Sequence, residues 1–174
     1  MAVGQHCAIL QIVGYQNSGK TTLVEKLISA AGRAGMVAAS IKHHGHGGVP
    51  SNESLPKDSV RHFGAGAIVA GVEGDGILQL SARVQNWSLE QIISMYGFFE
   101  MDVLFIEGYK QAAYPKVVLI RSGEDLPLLQ SLKNIKCVIS HVELAKEGFP
   151  HYPVFRLDEE QLYVDFLLKQ VRSL

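Results

Sequence analysis

Gly14-Tyr15-Gln16-Asn17-Ser18-Gly19-Lys20-Thr21-Thr22 carries Gly, Gly, Lys and Thr at the fixed positions of a phosphate-binding loop, G-x-x-x-x-G-K-[ST]. The residues on either side supply the context that this pattern requires. Ahead of it, Ala8-Ile9-Leu10-Gln11-Ile12-Val13 has the length and composition of a buried strand. Behind it, Leu23, Val24, Leu27, Ile28 and Ala31 recur at helical spacing, with Gly32 and Gly35 as stop signals. A strand, a glycine loop and a helix in that order turn successive backbone N–H groups toward one point at a helix N-terminus, where an anion is favoured. The stretch therefore predicts a nucleoside triphosphate site. Gly14, Asn17, Ser18, Gly19, Lys20, Thr21 and Thr22 form the cradle, Lys20 reaches the β- and γ-phosphates, and the Thr21 hydroxyl is a Mg²⁺ ligand.

Composition narrows the class. A chain of 174 residues, 47% hydrophobic, has enough apolar material for one core and reads as a single domain over 1–174. Sixteen basic and seventeen acidic side chains give a formal net charge of −1. Without a basic excess, broad nucleic-acid binding is not expected. Cys7 and Cys137 lack metal-ligand spacing and read as reduced, packed thiols. No apolar run reaches the length of a membrane span, and no leader pattern precedes the first strand, so a cytoplasmic location is expected.

Strand-like and helix-like periodicity alternate along the rest of the chain, which predicts an α/β fold with a mostly parallel sheet flanked by helices. Val37–Ile41 reads as a second strand, followed by a polar Gly- and His-rich stretch from Lys42 to Pro56 and a short helix over Asp58–Phe63. Residues 67–72 and 77–80 flank Glu73-Gly74-Asp75-Gly76 as an added β-hairpin. Ser88-Leu89-Glu90-Gln91 is a capping box for a helix carrying Ile92, Ile93 and Tyr96. Further strands are expected over 103–106, 117–120, 135–139 and 153–155. Asp158 is the expected cap of a terminal helix bearing Leu162, Phe166, Leu167 and Val171.

A triphosphate site also needs an acid near the metal. Asp102-Val103-Leu104-Phe105-Ile106-Glu107-Gly108 is an apolar strand with a carboxylate at its C-terminal end, and ligands of open α/β sheets bind beyond those ends. Glu107 is thus the candidate second metal-site and catalytic residue, able to hold a Mg²⁺-bound water or to orient a nucleophile, while Asp102 at the opposite end reads as structural. Lys42 and His43 open a loop on the same edge, Lys42-His43-His44-Gly45-His46, read as meeting a phosphate or anionic substrate. Zinc is disfavoured there, because no further Cys or acid completes a tetrahedral set. Lys57-Asp58-Ser59-Val60-Arg61 reads equally as a helix start capped by Asp58 or Ser59 and as a functional segment with Asp58 as a catalytic residue. Lys110 and Lys116 read as anion contacts or solvated charges. The six arginines are scattered, with Arg61 the nearest candidate for a transition-state cation, and no Asn-Lys-x-Asp guanine-reading tetrapeptide occurs.

The phosphate loop, the Ile41–His46 stretch, Lys57–His62 leading into Ala65-Gly66-Ala67, Glu107-Gly108-Tyr109-Lys110, and Pro115-Lys116 before a strand follow one another as in a known family. Over roughly Ala8–Leu168 the chain resembles molybdopterin-guanine dinucleotide biosynthesis protein B (MobB). The resemblance implies a P-loop NTPase-like fold that binds GTP and Mg²⁺, at most a slow GTPase, working as a homodimer beside the enzyme that joins GMP to molybdopterin. Molybdopterin itself is a further ligand that it suggests. By position, Gly14–Thr22 would hold the triphosphate and metal, Glu107 would act at the metal, and Asp58 with the Lys42–His46 loop would face the γ-phosphate or the pterin partner.

Two other readings stand beside a GTP-binding accessory protein. One is a small-molecule kinase, with Glu107 or Asp58 as base and Lys42 as clamp. The other is a non-catalytic assembly module that nucleotide merely stabilises.

Overall fold

The computed structural model describes residues 7–45, 57–144 and 151–174. Its elements are β1 (Ala8–Val13), α1 (Lys20–Arg33), β2 (Ala38–Lys42), α2 (Lys57–Gly64), β3 (Val69–Gly74), β4 (Ile77–Ala82), α3 (Leu89–Tyr96), β5 (Val103–Glu107), β6 (Lys116–Ile120), α4 (Pro127–Ser131), β7 (Ile135–Ser140), β8 (Val154–Arg156) and α5 (Glu160–Arg172). The chain divides into two compact units, Met1–Gly45 with Tyr96–Leu174, and His46–Met95.

The larger unit is built on a six-stranded sheet in the order β2-β5-β1-β6-β7-β8. Its strand pairs are all parallel. Such strands are covered on both faces, so near-continuous apolar runs are what they need. Every residue of β5 and β6 is buried. On one face α1 and α5 close over Leu10, Ile12, Phe105, Val117, Leu119 and Ile139 through Leu23, Leu27, Tyr163, Leu167 and Val171. On the other face, Leu128 and Leu132 pack with Val13, Val118, Ile120 and Val138. The chain crosses from β5 to β6 over the central β1, which puts the loop after β1 at a switch point of the sheet, where open α/β folds bind ligands.

The smaller unit holds the hairpin. β3 and β4 are antiparallel, from Val69 opposite Ala82 to Gly74 opposite Ile77. β3 starts and ends two residues later than its apolar run, β4 runs two residues further, and the turn shrinks to Asp75 and Gly76. Both have positive φ, 51° and 76°, the left-handed pair that matches the twist of a two-residue hairpin. Helix α3 begins with the expected reciprocal cap: the Ser88 N–H donates to Gln91 Oε1 at 2.9 Å, and the Gln91 N–H to Ser88 Oγ at 3.1 Å. Arg83 lies 4.3 Å from the centroid of the Phe63 ring.

Three expectations are corrected here. Asp158 does not cap α5, because its carboxylate pairs with Arg156 at 2.9 Å and the helix starts two residues later. In α5, Leu167 and Val171 are buried as expected, but the first turn buries Tyr163 and Val164 while Leu162 stays exposed. Lys116 is neither solvated nor an anion contact. It is 1% exposed, and its ammonium donates to the carbonyls of Ala112, Tyr114 and Lys133 at 2.8, 3.0 and 2.9 Å. Burial lowers its pKa, and three carbonyls keep the charge tolerable inside.

Candidate functional site

The loop from Gly14 to Gly19 leaves β1 and enters α1. Asn17 and Gly19 have positive φ, 58° and 89°, so the backbone reverses its hand twice before the helix begins. Such alternation turns N–H groups toward the concave side of a loop. Gly14 is required by space: a Cβ there would sit 2.6 Å from Ser18 Oγ and 3.0 Å from the Leu119 carbonyl oxygen. Ser18 is fully buried beneath the loop, while Thr22 is exposed on the first turn of α1.

Lys20 crosses the loop, its ammonium donating to the Tyr15 carbonyl at 2.6 Å and, more weakly, to Ser18 Oγ at 3.4 Å. Partial burial lowers its pKa, opposed by the Glu107 carboxylate and reinforced by Lys110, Lys42 and Arg121. Four cations therefore converge on a loop whose nearby carboxylates are Glu107 and Asp125, an arrangement suited to a polyanion.

Glu107 ends β5, the strand beside β1, and is 8% exposed. The Thr21 hydroxyl donates toward it, at 3.2 and 3.1 Å from its two oxygens. Lys42, at the end of the neighbouring β2, donates to Thr21 Oγ1 at 3.0 Å and lies 3.4 Å from Glu107 Oε1. Thr21, Lys42 and Glu107 thus meet from three elements, as their positions beyond the strand ends predict. Asp102, at the other end of β5, accepts from the Val37 N–H at 2.7 Å and is structural, as its position suggests.

His43 is held behind this cluster. Its N–H donates to the Glu107 carbonyl at 2.9 Å, and its ring lies 4.3 Å from that of Tyr109. Gly108 has φ 95°, and a Cβ there would come within 2.9 Å of the His43 Cβ. Gln11, buried in β1, fixes the turn from below, its amide donating to the carbonyls of Gly108 and Tyr109 at 2.6 and 2.5 Å. No group of three or more His, Cys, Asp or Glu stands ready for a metal among the described residues. His46 lies outside the described residues. Asp58 belongs to the smaller unit, where it is exposed and 3.6 Å from Arg61.

Within the larger unit, the arginine beside the loop is Arg121. It follows β6 at the ligand edge, donates from Nη1 to the Gln16 carbonyl at 2.9 Å, and is gripped by Asp125 through Nε at 3.0 Å and Nη2 at 2.9 Å. Asp125 is 1% exposed, and the hydrogen bonds from Arg121 hold its carboxyl below the usual carboxylate range against the opposing effect of burial. Lys110 sits 4.1 Å from the centroid of the Tyr15 ring. His141, directly after β7, places Nε2 at 3.1 Å from the Ser18 carbonyl. A carbonyl only accepts, so Nε2 carries the hydrogen. The available signal for Arg121 and His141 was their position: each is the first polar group after an apolar strand on the ligand edge.

Comparison with known proteins agrees with this geometry. Residues 9–141 match the family model described as molybdopterin guanine dinucleotide synthesis protein B. The chain is 44% identical over 173 residues to a probable molybdopterin-guanine dinucleotide biosynthesis adapter protein of Bacillus subtilis, covering 99% of this chain and 98% of that one. It superposes on the crystal structure of Bacillus subtilis MobB with a TM-score of 0.79 at 40% identity, covering 94% of this chain and 98% of the other. For the MobB homolog from Bacillus stearothermophilus the TM-score is 0.78 at 39% identity, with 95% and 99% covered. The phosphate loop, the acid-tipped strand and the parallel sheet thus belong together, and the chain is a member of the molybdopterin guanine dinucleotide synthesis protein B (MobB) family.

Proposed function

We propose that this chain binds Mg-GTP on the Gly14–Thr22 loop and serves as an adapter in molybdenum cofactor biosynthesis, beside the enzyme that joins GMP to molybdopterin. The observation that carries the site is the meeting of Thr21, Lys42 and Glu107 next to Lys20. A hydroxyl and a carboxylate 3.1 Å apart, with an ammonium 3.0 Å from the one and 3.4 Å from the other, already accommodate a cation. Thr21 and Glu107 suit Mg²⁺, which takes few protein ligands and completes its shell with water and phosphate oxygens. Bound there, the metal would neutralise charge on the β- and γ-phosphates. Lys42 has a side chain 61% exposed and a long stem, so its ammonium can turn to the phosphate when the metal takes its place.

The partner role rests on family membership and on the adapter name carried by the Bacillus subtilis relative. Hydrolysis, where it occurs, is read as slow. A homodimer is part of the same proposal, with the exposed apolar residues of the hairpin as the contact.

Calorimetric titration with Mg-GTP tests the site. Wild type is expected to bind and Lys20→Ala to lose most of the affinity; equal affinity in the two proteins would show that the loop is not the site. For the adapter role, the chain should co-purify with a GMP-transferring enzyme of the pathway and raise its product yield.

The four converging cations also suit a small-molecule kinase. In a screen of hydroxylated metabolites with labelled nucleotide, that reading requires label on an acceptor other than water.

A further inference from the structure

The four cations at the phosphate loop are not equally engaged. Arg121 commits Nε and Nη2 to Asp125 and Nη1 to the Gln16 carbonyl. Lys20 donates to the Tyr15 carbonyl and Ser18 Oγ, and Lys42 to Thr21 Oγ1 beside Glu107. Of the four, Lys110 is the one with no hydrogen bond or ion pair among the described residues. Its ammonium rests on the Tyr15 ring, 4.1 Å from the centroid, and its side chain is half-buried there.

The backbone that carries Lys110 is, by contrast, firmly held. After Glu107 the chain makes two left-handed residues in succession, Gly108 at φ 95° and Tyr109 at φ 49°. For a bulky residue such as tyrosine this is an outlier, and it persists only where the surroundings impose it. Here they do. The Gly108 N–H donates to the Ile12 carbonyl at 3.0 Å, and the Ala112 N–H to the Tyr109 carbonyl at 2.8 Å. The buried Gln11 amide donates to the carbonyls of Gly108 and Tyr109, and the Tyr109 ring packs on His43. Strained residues fixed in this way gather at functional sites. The effect of this turn is to bring Lys110, three positions after Glu107, against the phosphate loop while leaving its ammonium uncommitted.

Tyr15 shows which end of the nucleotide Lys110 faces. The Tyr15 carbonyl accepts from Lys20 at 2.6 Å, and the lysine of a phosphate loop is the one that reaches the β- and γ-phosphates. An ammonium lying on the Tyr15 ring is therefore at the terminal-phosphate end. A lysine on an aromatic face at a partly exposed site makes a weak contact, and a charge-assisted hydrogen bond to a phosphate oxygen is stronger.

We propose that Lys110 reads the terminal phosphate: with a triphosphate on the loop, its ammonium turns from the Tyr15 ring to a γ-phosphate oxygen. The inference rests on the GTP reading of the loop and adds to it the residue that distinguishes GTP from GDP. A diphosphate ends at the β-phosphate, which the loop and Lys20 hold, and gives Lys110 nothing to grasp.

The test is calorimetric titration of the full chain, of Lys110→Met and of Lys110→Arg with the Mg²⁺ complexes of GDP and of β,γ-imido-GTP, a triphosphate analogue that resists hydrolysis. Wild type should favour the triphosphate. Lys110→Met should lose roughly ten- to hundredfold in triphosphate affinity, the range for a hydrogen bond to a charged group, with GDP affinity nearly unchanged. Retained GDP binding also shows that the variant is folded. Lys110→Arg keeps the charge and should keep most of the preference. The loss in Lys110→Met should persist at high salt, which screens distant charges far more than a direct contact. If wild type binds neither guanine nucleotide, the GTP reading and this assignment both fall. If wild type binds them and Lys110→Met alters the two affinities by the same factor, alters neither, or recovers at high salt, the GTP reading stands and Lys110 is overturned as the reader of the terminal phosphate.

Discussion

The Thr21 hydroxyl lies 3.1 Å from Glu107 Oε2 although 86 positions separate the two in the chain. Thr21 stands in the first turn of α1 and Glu107 at the end of β5, and parallel pairing of β1 with β5 brings them to one point. The relationship makes the metal site testable apart from the phosphate loop. Glu107→Gln keeps the volume and removes the charge. It is expected to weaken the Mg²⁺-dependent part of nucleotide affinity by roughly ten- to hundredfold while leaving metal-free binding little changed. Titrations with GTP in Mg²⁺ and in EDTA separate the two, and an unaltered Mg²⁺ effect would rule Glu107 out as a metal-site residue.

Gly14→Ala probes the loop by sterics alone. The added methyl meets Ser18 Oγ and the Leu119 carbonyl oxygen, and a backbone carbonyl within a buried strand does not yield. We expect a loss of about 1–3 kcal/mol in unfolding free energy. Nucleotide affinity should drop more than this global loss explains. Urea unfolding and GTP titration of the same preparation measure both.

Asp125 gives the fold a defined acid sensitivity. Its folded-state pKa is lowered, chiefly by the hydrogen bonds from Arg121. The stabilisation is therefore present above the ordinary carboxylate pKa, about 3.9, and is lost as pH falls through the lower folded-state value. Asp125→Asn should be less stable than wild type at neutral pH, and the gap should narrow below about pH 4. Thermal unfolding across a pH series reads this directly. Because Arg121 also holds the Gln16 carbonyl, nucleotide affinity of the variant should fall as well.

Lys116→Met separates a structural lysine from the functional ones. The substitution withdraws a donor from the Ala112, Tyr114 and Lys133 carbonyls and should cost about 1–3 kcal/mol of stability. Folded Lys116→Met should retain its affinity for Mg-GTP. A selective loss of affinity without loss of stability would place Lys116 in the site after all.

The hairpin carries exposed Ile77, Leu78 and Leu80, at 66, 57 and 50%. A contiguous apolar strand of this kind is the natural contact of the proposed homodimer. Replacing Leu78 and Leu80 together by Glu is expected to convert a two-chain light-scattering mass to one chain with the thermal transition preserved in shape. A wild-type mass of one chain would exclude the dimer.

The local sequence settled most of what depends on neighbours along the chain. The phosphate loop, the apolar strands, the reciprocal cap at Ser88 and Gln91 and the hairpin turn are all short-range, since backbone conformation and periodicity act over a few residues. Glu107 was legible because a strand that ends in a carboxylate points it to the ligand edge of a parallel sheet. The face of α5 was not, because both Leu162 and Tyr163 satisfy an apolar pattern and only packing against β8 and α1 chooses between them. The fate of Asp158 was likewise decided by its neighbour Arg156, a stronger partner than an N–H group at the helix start.

Lys116, Arg121 and His141 mark the other limit. A lysine before a strand reads alike whether it faces solvent or is buried beneath three carbonyls. An arginine among six scattered ones shows no preference for the phosphate loop until β6 is laid beside β1. Sequence by itself determined that there is a phosphate loop on a parallel sheet, because those features are written in contiguous residues. Tertiary structure alone decided which distant cations, carboxylates and ring surround it, because strand order, and not separation along the chain, sets what meets at a sheet edge.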